Sequence, residues 1–388
     1  MIFTIEEAKK SSYQESKLVD IAEMKALDDY TLEITLSQPN SDMLFNLGSA
    51  YLSVICQEAL EKDPDLGYMV GTGAYVFTEW VPDDYAHLTR NENYWGEMPE
   101  TKEFIFRKYS EASARVIALQ TGEIDICLNL PAAEVAHVVD DENLTMLNIP
   151  NTQLTYIGLN TKSPNNPALA DVKVRQAINY AINRAEVAVV MHEDYAIVPD
   201  SIIPASLWGY AGVPTYEYDV EKAKSLLEEA GYPDGIEFSL VSKSTYPNLF
   251  EVLQSQLAKA NITLTLATED NSVRTEILND KAHDSVAVAW IFANINSDLR
   301  AMFYGGSGSN RTMIDDPYVN ETLDQALIEA DAEKNLQSYK ELTQYLTDQA
   351  LIVPLYLDPL LVGMNKNVEG AVFHGNTRHE FTYVTVAE

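Results

Sequence analysis

Apolar and polar positions recur along this chain with two different periods, and the period shows which backbone each segment takes. Val174, Ala177, Ile178, Ala181 and Ile182 stand at i, i+3, i+4, i+7 and i+8, which places them on one stripe of a helix. A second helix is predicted from Asp219, a suitable N-cap, through Ala223, Leu226, Leu227 and Ala230. Gly231 ends it and Pro233 prevents its continuation. Further helices are predicted over 110–121, stopped by Gly122, over 249–260 and over 331–350. Thr4 and Glu7 fit a capping box for an opening helix that stops near Ser11. The shorter period marks strands. Leu32, Ile34 and Leu36 alternate with polar residues, and the runs 75–80 and 85–90, joined by Pro82-Asp83-Asp84, read as a hairpin. Strands are also predicted over 262–266, 285–290 and 351–357. Helices and strands are mixed throughout, which predicts an α/β or α+β protein. The 388 residues exceed one hydrophobic core, so two or more lobes are expected. The stretch 160–170, rich in Pro, Asn and Ser, is the best boundary between them.

Charge narrows the function. Twenty-six basic residues stand against 59 acidic ones, a formal net charge of -33. Phosphate binding needs a basic face, so this balance argues against nucleic acid and against an anionic membrane surface as partners. It reads first as a solubilising acidic surface and second as a pull on cationic ligands. No run of 18 or more apolar residues spans a membrane. Met1-Ile2-Phe3 is followed at once by Thr4-Ile5-Glu6-Glu7, without the basic and apolar segments of a signal peptide. Cys56 and Cys127 belong to no CxxC or Cys/His cluster. Cys127, in the apolar run 124–128, reads as a buried free thiol, and a pair with Cys56 has no support.

The search for catalytic chemistry fails. Gly71-Thr72-Gly73 leads into a strand, and Gly305-Gly306-Ser307-Gly308 lacks the Lys-Ser/Thr of a phosphate loop. No G-x-S-x-G elbow is present. His374 and His379 lie five apart around Gly375, off the helical spacing of a metal pair. An acidic pair in an aromatic cleft remains the enzymatic alternative, with no signature behind it. Aromatic content stands out instead: 22 Tyr, 11 Phe and four Trp. Aromatic walls with a few polar groups suit a ligand cleft. Trp80 and Trp95 read as core packing, whereas Trp208 and Trp290 stand between core and cleft.

Five blocks in order carry a resemblance. Gly71-Thr72-Gly73-Ala74-Tyr75, Trp80 and Arg90-Asn91 to Tyr94-Trp95-Gly96 form the first. Ser113-Ala114-Arg115 through Leu119-Gln120-Thr121-Gly122-Glu123-Ile124-Asp125 form the second. Leu159-Asn160-Thr161, then Asp171-Val172-Lys173-Val174-Arg175-Gln176-Ala177-Ile178-Asn179-Tyr180-Ala181-Ile182-Asn183-Arg184, and then Tyr218-Asp219 through Ala230-Gly231-Tyr232-Pro233 complete the set. Together they resemble the family 5 solute-binding proteins, the dipeptide, oligopeptide and nickel binders. The resemblance implies a bilobal α/β fold of the periplasmic-binding-protein type with an extra small lobe. It implies a monomer that closes a hinged cleft around a solute and delivers it to an ABC permease outside the cytoplasm, membrane-anchored as a lipoprotein in the family. It implies no enzyme activity and no cofactor. A receptor-linked sensor on the same fold is the other alternative. The layout assigns 1–70 to the remainder of the small lobe, 71–165 with 363–388 to lobe I and 166–362 to lobe II. The chain opens inside a helix that family members place after an initial strand region, so a longer form is expected to be the more stable.

The resemblance also places a ligand site. Peptide binders of the family hold the peptide amine with an aspartate after a tryptophan-bearing strand. Here Ala293 stands at that place, and Asp298 is the nearest acid. Gly308-Ser309-Asn310-Arg311-Thr312 resembles a segment found in part of the family, and Arg311 there could take a ligand carboxylate on its fork; a surface ion pair is the alternative. The expected lining is therefore Trp208, Trp290, Asp298, Tyr304 and Arg311, with Asn160 near the hinge.

Overall fold

The computed structural model describes residues 1–246 and 248–387. The chain forms two compact units, 1–149 with 361–388 and 150–360. The first holds β1 (Ile21–Ala26), β2 (Leu32–Leu36), β3 (Tyr75–Val81), β4 (Tyr85–Arg90), β5 (Glu103–Arg107), β6 (Ile126–Leu128) and β7 (Leu144–Ile149). The second holds β8 (Gln153–Leu159), β9 (Ile236–Val241), β10 (Ile262–Thr268), β11 (Ser285–Ile291) and β12 (Ile352–Leu357). After the divide at Leu360/Leu361 come most of β13 (Leu360–Asn365), then β14 (Val368–Glu369) and β15 (Thr385–Val386).

In unit 1, the hairpin read from the sequence is β3 against β4, extended by β5 into an antiparallel sheet. A second sheet has the order β6-β13-β7. Residues 1–70 enclose a small core of Ile5, Leu18, Ile21, Met43 and Leu52. Three expectations fail here. The opening helix is Ile2–Lys9 with Met1 as N-cap and no side-chain cap. Thr4 is buried, and its Oγ1 accepts from the Ile55 N–H instead of capping. Trp80 and Trp95, read as core, are 54% and 80% exposed. Trp80 lies near the end of β3, beyond an irregularity between Phe77 and Glu79 that leaves 78–80 exposed, and Trp95 hangs on a loop by its Nε1 bond to the Thr72 carbonyl. Cys127 is a buried free thiol and Cys56 an exposed one.

Unit 2 is a three-layer α/β body. Its sheet runs β10-β9-β11-β8-β12. β10, β9 and β11 are parallel, while β8 is antiparallel to both β11 and β12. One face carries Ile157, Leu159, Phe238, Leu240, Leu264, Ala287, Val353 and Leu355 against the helices Val172–Tyr180, Val220–Glu229 and Leu249–Ala258. Their apolar stripes are those read from Val174 and Asp219 onward. Leu154 and Tyr156 on the opposite face meet the helices Ile295–Phe303, Pro317–Ile328 and Ala332–Asp348. Pro354 is tolerated because β12 is an edge strand, with an irregularity between Pro354 and Tyr356. The boundary expected over 160–170 lies inside this unit: β8 pairs on both sides, so the divide falls before it, at Ile149/Pro150.

Candidate functional site

The strand directions gather several ends on one edge of the unit 2 sheet. Gln153 at the start of β8 pairs with Ile291 at the end of β11, and Leu154 pairs with Leu357 at the end of β12. The parallel β9 and β10 run in the same direction as β11 but end earlier, with Val241 level with Val286. Open α/β sheets bind ligands outside the carboxyl ends of their strands, where backbone groups and loop side chains converge. This edge of unit 2 is the candidate site.

After β11 the chain turns at Phe292-Ala293-Asn294 into the helix Ile295–Phe303. Asn294 caps it by accepting from the Ser297 N–H. Asp298 is only 7% exposed. Its carboxylate accepts from the Trp290 Nε1 at 3.2 Å and from the N–H groups of Ala293 and Asn294 at 2.7 and 2.8 Å. The turn thus supplies donors to the carboxylate that the sequence had offered to a ligand amine, and Asp298 acts as a brace for Trp290. Trp208, 55% exposed, precedes Gly209, which packs against Ile295 at the start of that helix. Its ring meets Tyr339 edge-on at 6.0 Å, and the Tyr339 hydroxyl in turn takes a bond from Asn296.

Arg311 lies on the sheet face that carries Tyr156, Gly158 and Val286. A Cβ on Gly158 would stand 3.3 Å from the Arg311 Cβ, so the missing side chain gives the arginine stem its room. The Arg311 carbonyl lies 2.8 Å from His283 Nε2. Burial raises the Tyr156 phenol, and the Arg311 charge beside it pulls the other way. Two cations unnoticed in the sequence join Arg311. Lys243 follows Ser242 just after β9, with its ammonium 5.8 Å from the Tyr246 ring centroid. Arg274 sits in the helix Asn271–Asn279 that starts after β10 behind an Asp270 cap. Lys243, Arg274 and Arg311 are all half-buried.

Two expected residues fall elsewhere. Tyr304 closes the helix Ile295–Phe303 at the end remote from the turn. Its ring lies under Arg300 at 4.6 Å and its hydroxyl reaches Asp324 at 3.2 Å. Its carbonyl accepts from Asn310 Nδ2, so Tyr304 anchors the loop that carries Arg311. Asn160 is fully buried at the opposite end of β8. Its Nδ2 donates to the carbonyl of His283 at 2.7 Å, and its Oδ1 accepts from the Lys162 N–H. The chain passes between the units at Ile149/Pro150 and Leu360/Leu361. The expected place of Asn160 near the hinge is therefore corrected: it is a lock on the amino end of β11, a full strand length away. A concavity of about 490 Å³ in unit 1, lined by Phe104, Phe106, Ile126, Leu128 and Phe381 among others, is the competing site. The basic residues there already have partners: Arg107 with Asp84, Lys108 with Asp83, and Arg115 with the Asn129 carbonyl.

The chain has relatives of known kind in both sequence and fold. The chain is 29% identical over 370 residues to the glutathione-binding protein GsiB of Salmonella paratyphi A, covering 90% of this chain and 71% of that protein. It is 26% identical over 387 residues to the dipeptide-binding protein of Escherichia coli, covering 94% and 72%. The solved structure of the periplasmic binding protein DppA from Helicobacter pylori, in complex with the peptide STSA, superposes with a TM-score of 0.80. The identity is 25%, with 99% of this chain and 80% of that one covered. Among the described residues no helix is long and apolar enough to cross a membrane. The family model for the middle part of these proteins matches residues 2–311, and the chain belongs to the bacterial extracellular solute-binding proteins, family 5.

Proposed function

We propose that this chain captures a peptide or similar small solute outside the cytoplasm and delivers it to the permease of an ABC importer, as a binding protein without enzymatic activity. The observation that carries the reading is Arg311. It is half-buried beside Gly158, with no ion pair or side-chain hydrogen bond to a described residue. A planar guanidinium held this way matches a carboxylate with two parallel N–H bonds. Trp290, further along β11 on the same sheet face as Val286, supplies aromatic surface, and an apolar wall with few polar groups is how small-solute sites orient a ligand. The names of the curated relatives, glutathione-binding and dipeptide-binding, support a peptide as the solute. Residues 1–70 form a small lobe in this reading, and membrane anchoring as a lipoprotein belongs to it as well.

The test is a melting series with a library of di- and tripeptides. A binder gains stability as RT ln(1 + [L]/Kd), so a ligand at about 100 times its Kd adds about 2.7 kcal/mol. Mass spectrometry of the same mixtures should return the peptide intact. Conversion of any library member at an enzyme-like rate would sink the reading, and so would a library in which nothing raises the melting temperature.

A further inference from the structure

The acid surplus of this chain makes an unpaired cation informative. With 59 carboxylates to 26 basic residues, carboxylate partners are abundant, and long surface side chains find them readily: Lys173 with Glu229 and Arg300 with Asp324 are examples. Lys243, Arg274 and Arg311 do not. None has an ion pair with a described residue, and the Nε of Arg274 is buried without a hydrogen-bond partner.

The fold brings the three together. The Ser242 N–H donates to the Thr268 carbonyl at 2.9 Å, which sets Lys243 beside the end of β10. From there Asp270 starts the helix that carries Arg274. Arg274 and Leu278 are four apart and share a helix face. Leu278 packs on Val241 and Val286. Val286 pairs with Gly158, over which the Arg311 stem lies. All three cations therefore border one face of the sheet at the level of Gly158 and Val286, where β9 ends and β11 begins. Their charges register on one another: burial and then the Arg311 charge lower Arg274, and burial and then Arg274 lower Lys243. A half-buried cluster of one sign costs stability unless an anion fills it.

We infer that the solute held on unit 2 carries two separate anionic groups, one on the Arg311 fork and a second between Arg274 and Lys243. This rests on the solute-binding reading of the same surface and names its class. A peptide with an acidic side chain has this chemistry, and so does a free dicarboxylic acid. One carboxylate on Arg311 would leave the other two cations without a counter-charge.

Calorimetric titration of the full chain with Ala-Glu, Ala-Gln, Ala-Ala and glutarate tests it. Ala-Glu and Ala-Gln have the same shape and differ by one charge. The expected result is binding of Ala-Glu about tenfold or more tighter than Ala-Gln, because a charge-assisted bond is roughly twice a neutral one. Arg274→Gln and Lys243→Met should each bring Ala-Glu toward the Ala-Gln value and weaken Ala-Gln much less. If one variant fails to fold, the other and the wild-type comparison still decide. Equal affinities for Ala-Glu and Ala-Gln overturn the second anionic group while the solute-binding reading stands. Glutarate bound as tightly as Ala-Glu supports the dianion and removes the peptide. Binding of none of the four overturns both readings.

Discussion

The indole Nε1 of Trp290 donates to the carboxylate of Asp298 at 3.2 Å, across the turn that joins β11 to the following helix. Two backbone N–H groups of the same turn share that carboxylate. Removing it leaves three part-buried donors unpaired, and hydrogen bonds to charged groups are worth about 1.5–3 kcal/mol each. Asp298→Ala should lower the unfolding free energy by about 3 kcal/mol in urea titrations. Asp298→Asn, which keeps one carbonyl acceptor, should cost less. If Asp298 instead met a ligand amine, N-acetylation of a peptide would weaken binding to the wild type and not to Asp298→Asn. The brace reading expects the same acetylation effect in both proteins.

Gly158 gives Arg311 its place. A Cβ there would lie 3.3 Å from the Arg311 Cβ and 3.7 Å from Tyr156 and Val286 side-chain atoms. That is tight enough to move the neighbour by a few tenths of an ångström without breaking the strand. Gly158→Ala should therefore leave unfolding within about 1 kcal/mol of wild type, yet weaken a carboxylate-bearing solute about tenfold, since a bidentate fork depends on its geometry. An esterified form of the same solute should show little difference between the two proteins. Equal loss for acid and ester would remove Arg311 from the carboxylate role.

The legible parts of the fold were those whose signal is periodic. The stripe from Val174, the capped helix from Asp219 and the hairpin around Pro82-Asp83-Asp84 all took the predicted form. The strand β8 passed unnoticed: it is buried on both faces from Leu154 to Leu159, so no alternation marks it. That omission shifted the inferred boundary to 160–170. At the candidate site, Trp290 and Arg311 became candidates through family-like segments outside the five blocks. Lys243 and Arg274 were not, because their significance lies in the absence of partners, which only the folded arrangement of β9, β10 and the helix after it reveals. Asp298 was singled out for its charge, while its use by the turn is visible only in the folded chain.

Arg184 shows a charge used for structure. It is 5% exposed, and its guanidinium donates to the carbonyls of Pro354 and Tyr216, each at 2.8 Å, and to Asn179 Oδ1 at 2.9 Å. Burial pulls its pKa down to about 10, which still leaves it charged at neutral pH. The fork ties β12, the loop before Asp219 and the helix Val172–Tyr180 together. Arg184→Lys keeps the charge but cannot reach three acceptors in one plane. It should cost about 3 kcal/mol in urea unfolding, the range of a broken buried polar network. A loss under about 0.5 kcal/mol would show that the geometry, not the charge, is dispensable.

His283 couples the cation cluster to pH. The imidazole is 2% exposed, its Nε2 is 2.8 Å from the Arg311 carbonyl, and its Nδ1 is buried without a described partner. Burial holds its pKa below the usual value, and the charges of Arg311 and Arg274 push the same way, while the bond to the Arg311 carbonyl and the neighbouring Asp284 oppose them. The unfolded chain therefore takes up a proton near pH 6.5 that the folded chain refuses. Stability depends on pH through the difference in protons bound, so this contribution is fully present above about 6.5 and is lost as the pH falls toward the folded value. Urea unfolding at pH 7.5, 6.5, 5.5 and 5.0 should show a decline that His283→Gln makes shallower, because the amide can still donate to the Arg311 carbonyl and does not titrate. Parallel curves for the two proteins would refute the assignment. An anion seated on Arg311 and Arg274 would offset their charges and move the His283 titration upward. Following its ring resonances by NMR with and without saturating Ala-Glu therefore reads the filling of the cluster directly: an upward shift with Ala-Glu, and a smaller one with Ala-Gln, is the expected pattern.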